Sequence, residues 1–87
     1  MTVFDVTVEV QLRPGISDPQ GATIERALPA LGFSGVSGVR VGKAFRLHID
    51  ATSEEDARRL VGELSARLLA NPVIEDSSIS ALVAQPS

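Results

Sequence analysis

Residues 4–12 read FDVTVEVQL, with Phe4, Val6, Val8, Val10 and Leu12 apolar and Asp5, Thr7, Glu9 and Gln11 polar between them. A period of two places every apolar side chain on one face of an extended strand, whereas a helix would scatter them around its axis. Such a strand cannot stand alone. Its apolar face needs a cover and its backbone groups need neighbouring strands, which calls for a sheet with one packed side and one wet or partner-facing side. The chain must meet those demands with 87 residues, no cysteine, no tryptophan, no tyrosine and three phenylalanines. The core is therefore aliphatic and thin, with no disulfide to staple it, and a second subunit is the expected source of further burial.

The remaining elements follow from punctuation and spacing. RPGISDP marks a turn, after which Asp18 and Pro19 start a helix: a carboxylate to cap free amides and a ring already set at helical φ. Ile24, Ala27, Leu28 and Leu31 share one helical face, Gly32 sits where a C-terminal cap is expected, and Pro29 should bend or shorten the last turn. In GVSGVRVGKAFRLHID the pattern Val36, Val39, Val41 and then Phe45, Leu47, Ile49 predicts two strands joined by a tight turn at Gly42 and Lys43. A second helix is capped by Thr52 or Ser53, carries Glu54, Glu55 and Asp56 in its first turn, and buries the stripe Ala57, Leu60, Val61, Leu64, Leu68. The pairs Glu54 with Arg58, Glu55 with Arg59 and Glu63 with Arg67 should solvate its outer side. Asn71 in a left-handed cap and Pro72 end it, and a last strand falls within VIEDSSISALV. The order strand, helix, strand, strand, helix, strand predicts an α+β, ferredoxin-like βαββαβ sandwich with two helices on an antiparallel sheet. The domain is expected over residues 1–83, with 84–87 as a flexible tail.

Charge and residue types exclude several classes of function. A formal charge of −3 and an isoelectric point near 4.9, with no basic run, argue against nucleic acid as a partner. No apolar stretch approaches the roughly 20 residues of a membrane span, and the N-terminus does not resemble a signal peptide, so a cytoplasmic location is expected. His48, the single histidine, stands between Arg46 and Asp50 on the polar side of a strand and has no nucleophile to activate. The acids at 54–56 suit a capped first turn better than a metal site, and the spread glycines match no phosphate-binding loop. These readings give no catalytic residue, no metal and no cofactor.

Three segments carry more when taken together: DPQG at 18–21, VRVGK at 39–43 and LLANPVIED at 68–76. In this order and spacing the chain closely resembles the PurS family, the small subunit of phosphoribosylformylglycinamidine synthase. The resemblance runs from VEVQLRPGISDPQGATIERALPALGF to NPVIED. It implies a subunit without an active site of its own, working beside a glutaminase subunit and a large ATP-dependent synthetase subunit. That complex uses glutamine-derived ammonia to turn formylglycinamide ribonucleotide into its amidine. It also implies a homodimer or homotetramer, in which segments can be exchanged between protomers. The chain departs from the family pattern at Pro29, at Arg46 and His48, and in a tail without an aromatic residue. The edge strands and the polar sheet face with Thr7, Glu9, Arg46 and His48 are the expected pairing surface. The alternative from another class is a small-ligand regulatory module of ACT type, which shares the element order. Tracing the chain through the expected fold brings the three segments to one end, where Asp18, Gln20, Arg40, Lys43, Asn71 and Glu75 are expected to line a surface for partners.

Overall fold

The alternation at residues 4–12 becomes the central strand β1 (Thr2–Leu12) of a three-stranded antiparallel sheet in the computed structural model, which describes residues 1–86. Its neighbours are β2 (Gly42–Ala51) on one side and β3 (Glu75–Ala84) on the other. Phe4, Val6, Val8 and Val10 are buried and form the core with Ala51, Ala57 and Val61, while Phe45, Leu47, Ile49, Ile79 and Leu82 pack around them. The intervening residues of β1 face away from this core, as the alternation requires.

The α+β class and the antiparallel sheet agree with the sequence, but the sheet has one strand fewer than the element order predicts. Residues 35–41 form no strand of this sheet. Gly42 and Lys43 are not a hairpin turn; they open β2 and pair with Gln11 and Val10 of β1. Within this segment it is Gly38 whose backbone needs glycine's freedom, with a φ of 70° in the left-handed region. Gly42 answers a different need: a Cβ there would stand 2.9 Å from the Val10 carbonyl oxygen.

α1 (Pro19–Ala27) starts where Asp18 accepts a hydrogen bond from the Gly21 amide at 2.9 Å. Pro29 has the effect its ring dictates. The helix stops at Ala27, a 3-10 turn occupies Pro29–Leu31, and Gly32 closes it with φ 91°. α1 lies beside residues 39–41, leaving Ile24, Leu31, Phe33 and Val36 exposed.

α2 (Glu54–Leu64) covers the packed face of the sheet. Ser53 caps it by accepting from the Asp56 amide, and the Thr52 hydroxyl donates to the Asp56 carboxylate. Of the expected ion pairs, Glu54 with Arg58 forms at 3.2 Å; Arg59 instead meets Asp56 at 2.7 Å and Glu63 at 3.4 Å. The apolar stripe departs from 3.6 periodicity after Val61. A π turn at Ser65–Leu69, with the Ala70 amide donating to the Ser65 carbonyl at 2.9 Å, inserts one residue. Leu69 therefore packs on the core and Leu68 is 74% exposed. Asn71 does not take a left-handed cap, since no non-glycine residue among those described has positive φ. Ala70 ends the turn in extended conformation, and Asn71 turns the chain through its side-chain oxygen, which accepts from the Val73 amide at 3.1 Å.

β3 pairs with β1 through Leu12↔Glu75 to Phe4↔Ala84, with one irregularity where Thr7↔Ala81 is followed by Val8↔Ile79. Ser80 is the extra residue of this bulge, and its hydroxyl donates to the Thr7 carbonyl at 3.3 Å. Of the expected tail, Ala84 belongs to β3, the Gln85 amide donates to the Val3 carbonyl at 2.8 Å, and Ser87 lies outside the described residues.

Candidate docking face

One end of the sheet gathers the C-terminus of β1 and the first residues of both β2 and β3. Antiparallel pairing alone fixes this. The loop after β1 must leave from that end, and the segments entering β2 and β3 must arrive there. Asp18 caps α1 with one carboxylate oxygen and with the other accepts from the Val41 amide at 2.8 Å, so the helix start and the approach to β2 share one side chain. Its carboxyl is held below the usual carboxylate range, first by the Gly21 amide and then by the Val41 amide, with Arg40 adding a weaker charge effect. Arg40 lies 3.9 Å from Asp18 and donates to the carbonyls of Ile16 and Arg13.

A second clasp stands beside the first. Glu75, with a side chain only 13% exposed, accepts from the Asn71 amide at 2.7 Å and pairs with Lys43 at 3.6 Å. The Lys43 ammonium also lies 5.9 Å from the centre of the Phe45 ring. Gln20 joins Lys43 and Glu75 in lining an open cleft of about 360 Å³ whose floor is Val10, Leu12, Val41 and Gly42. An adjoining apolar cleft of about 470 Å³ is bounded by Pro19, Gln20, Thr23, Ile24 and Val41.

The structure thus brings Asp18, Gln20, Arg40, Lys43, Asn71 and Glu75 to one end, as the chain trace anticipates, though their circumstances differ. Asp18, Arg40, Asn71 and Glu75 hold the loops in place, and Gln20 and Lys43 present their side chains to the clefts. Two further residues of this end escaped the sequence reading. Arg13 pairs with Asp76 at 3.2 Å, and Glu25 accepts from the Val39 amide at 2.8 Å. Both contacts join residues distant in sequence and have no local signature. Gly21 has a physical reason for its place in DPQG: a Cβ there would lie 2.4 Å from the Val39 carbonyl oxygen.

No group of three or more His, Asp or Glu side chains suited to a metal ion occurs among the described residues. What this end offers is hydrogen-bonding groups, ion pairs and apolar surface.

Comparison with known proteins decides the family. The model of the family described as PurS, phosphoribosylformylglycinamidine (FGAM) synthase, matches residues 5–82. The chain belongs to the PurS family. Among similar proteins, the phosphoribosylformylglycinamidine synthase subunit PurS of Mycobacterium leprae is 48% identical over 73 residues, covering 84% of this chain and 89% of that protein. The PurS subunit of Archaeoglobus fulgidus is 44% identical over 72 residues, covering 83% and 90% of the two chains. The fold superposes on Thermus thermophilus PurS with a TM-score of 0.85 at 37% identity, covering 97% of this chain and 99% of that one. A chain in the structure of PurLQS from Thermotoga maritima gives 0.83 at 33% identity, with 98% and 100% covered. These matches favour the PurS reading over the ACT-type alternative.

Proposed function

We propose that this PurS-family chain is the non-catalytic small subunit of phosphoribosylformylglycinamidine synthase, in which it joins the glutaminase and the large synthetase subunit and supports ammonia transfer between them. The observation that carries the reading is the superposition, over nearly the whole of both chains, on a chain of the Thermotoga maritima PurLQS structure. A cytoplasmic location belongs to the same proposal, and no described helix is long and apolar enough to cross a membrane.

The protein works in this proposal as a homodimer or homotetramer. Ile24, Leu31, Phe33 and Val36 leave apolar surface around α1 uncovered, and β2 and β3 are both open edges. An arm carrying an unpartnered apolar face is suited to packing against a second copy, which is the form segment exchange would take.

Co-purification with the glutaminase and synthetase from the same source tests the function: a stable three-component complex with glutamine-dependent amidine synthesis is expected, and its failure to form with active large subunits would refute the assembly role. Gln20→Arg tests the docking face separately. Its side chain lines both clefts and is exposed, so the melting temperature should hold while assembly is lost. Intact assembly by that variant would place the docking face elsewhere and leave the subunit's role standing.

A further inference from the structure

Three of the chain's eight basic side chains, Arg13, Arg40 and Lys43, gather at the docking end, although the chain as a whole carries a formal charge of −3. Each of the three is about half exposed. Two of their three carboxylate partners are not: the side chains of Asp18 and Glu75 are 7% and 13% exposed, and only Asp76 stands open to solvent. The two covered carboxylates also turn inward. Asp18 accepts from the Gly21 and Val41 amides, and Glu75 accepts from the Asn71 amide.

These acids balance the cations in charge, yet the groups left at the surface are mostly donors. Lys43 shows this most clearly. Its ammonium has three N–H donors and no acceptor; Glu75 lies 3.6 Å from it, and the centre of the Phe45 ring 5.9 Å. The remaining donor capacity is left to whatever enters the cleft that Lys43 lines. Gln20 lines both that cleft and the apolar one bounded by Pro19, Thr23, Ile24 and Val41, so a cation and an apolar hollow stand on either side of one residue.

We propose that this face receives an acidic, apolar-anchored segment of one of the two larger subunits, with an apolar side chain in the cleft beside Ile24 and a carboxylate on Lys43. The proposal rests on the role in the synthase put forward above and adds to it the chemistry of what docks. A basic segment would bring like charge against three half-exposed cations, and a purely polar one would leave the hollow beside Ile24 uncovered. Gln20→Arg blocks both clefts by bulk and is silent on charge, whereas Lys43 reports it.

Binding of the full-length protein to the glutaminase and to the synthetase of the same source, at about 0.1 M and about 1 M salt, tests the proposal, because the screening length shortens from about 10 Å to about 3 Å between them. Wild-type affinity for one of the two subunits should fall as salt rises. Lys43→Gln, which removes the charge, should bind about tenfold more weakly at the lower salt, the loss of one charge-assisted hydrogen bond, and close to wild type at the higher. Lys43→Arg should restore binding. Arg58→Gln, the same change of charge at a half-exposed position in α2, should leave it intact. Ile24→Ser should weaken binding at both salt concentrations alike, and melting temperatures check that every variant is folded. Wild-type binding by Lys43→Gln, or an equal loss in Arg58→Gln, would overturn the proposal. So would weaker self-association of Lys43→Gln in sedimentation with binding to the larger subunits kept, which would make a second copy the occupant. A wild-type chain that binds neither subunit, singly or together, would refute the role in the synthase itself and this proposal with it.

Discussion

Replacing Gly21 by alanine probes the glycine at which an added Cβ would have the least room. The added Cβ would stand 2.4 Å from the Val39 carbonyl oxygen and 2.9 Å from Asp18 Oδ2, where ordinary contacts begin near 3.4 Å. One side of the contact is backbone and the other is the carboxylate that holds the Val41 amide, so neither can rotate out of the way. Residues 39–41 and α1 must then separate by about 1 Å, which stretches the Val39 to Glu25 and Val41 to Asp18 hydrogen bonds from their 2.8 Å lengths. Overpacking of this kind costs about 1–3 kcal/mol, and the better helix propensity of alanine returns at most about 1 kcal/mol. A net loss of about 1–2 kcal/mol corresponds to a five- to thirtyfold fall in local stability. Native-state hydrogen exchange at the Val39 and Val41 amides reads this directly. Gly62→Ala is the control, because a Cβ there meets nothing within 4 Å in the exposed middle of α2, and that change should be neutral or stabilising by up to about 1 kcal/mol. Undiminished protection at Val39 and Val41 in Gly21→Ala would refute the reasoning.

Two other outcomes follow from the same contacts. Leu69→Ala should cost about 1–2 kcal/mol, roughly half of what a fully buried leucine costs, whereas Leu68→Ala should stay within about 0.5 kcal/mol; urea unfolding at matched protein concentration distinguishes them, and the reverse order would mean that the π turn is absent. Asp18 has a lowered pKa in the folded chain, so its contribution is complete above the unfolded value near 3.8 and is lost as pH falls through the lowered value; acid titration of the Val41 amide exchange should show that loss, and Asp18→Asn should remove the dependence.

How far the sequence could be read depended on whether the decisive interaction was local. β1 was legible because alternation is a property of consecutive residues, and the core side chains Phe4, Val6, Val8 and Val10 are the ones it names. The start of α1 was legible from Asp18 and Pro19, and its early end from Pro29. The segment 35–41 misled because Val36, Val39 and Val41 have strand-like character, yet Asp18 and Glu25 draw the Val41 and Val39 amides toward α1, a choice made by residues far back in the chain. Leu68 misled because a helix period cannot announce an inserted residue in advance. At the candidate docking face, the convergence of Asp18, Gln20, Arg40, Lys43, Asn71 and Glu75 could be traced from topology, whereas the partners each side chain selects, such as Glu75 for Lys43 and Asn71, depend on long-range geometry.

The irregularity at Ser80 gives β3 a residue of slack. Ile79 lies opposite Val8 and Leu82 opposite Val6, an odd and an even position on the same face, which a regular strand could not achieve. Loss of Ser80 alone would leave Ile79 and Leu82 two positions apart and preserve the inward set. Loss of Ser78 would instead have to be absorbed by drawing Ser80 into the ladder, or else turn one half of the strand inside out. Length changes in this strand are therefore tolerable only near one point, and among relatives of differing length a gap in β3 should fall around Ser80, with the residues on either side keeping their partners on β1.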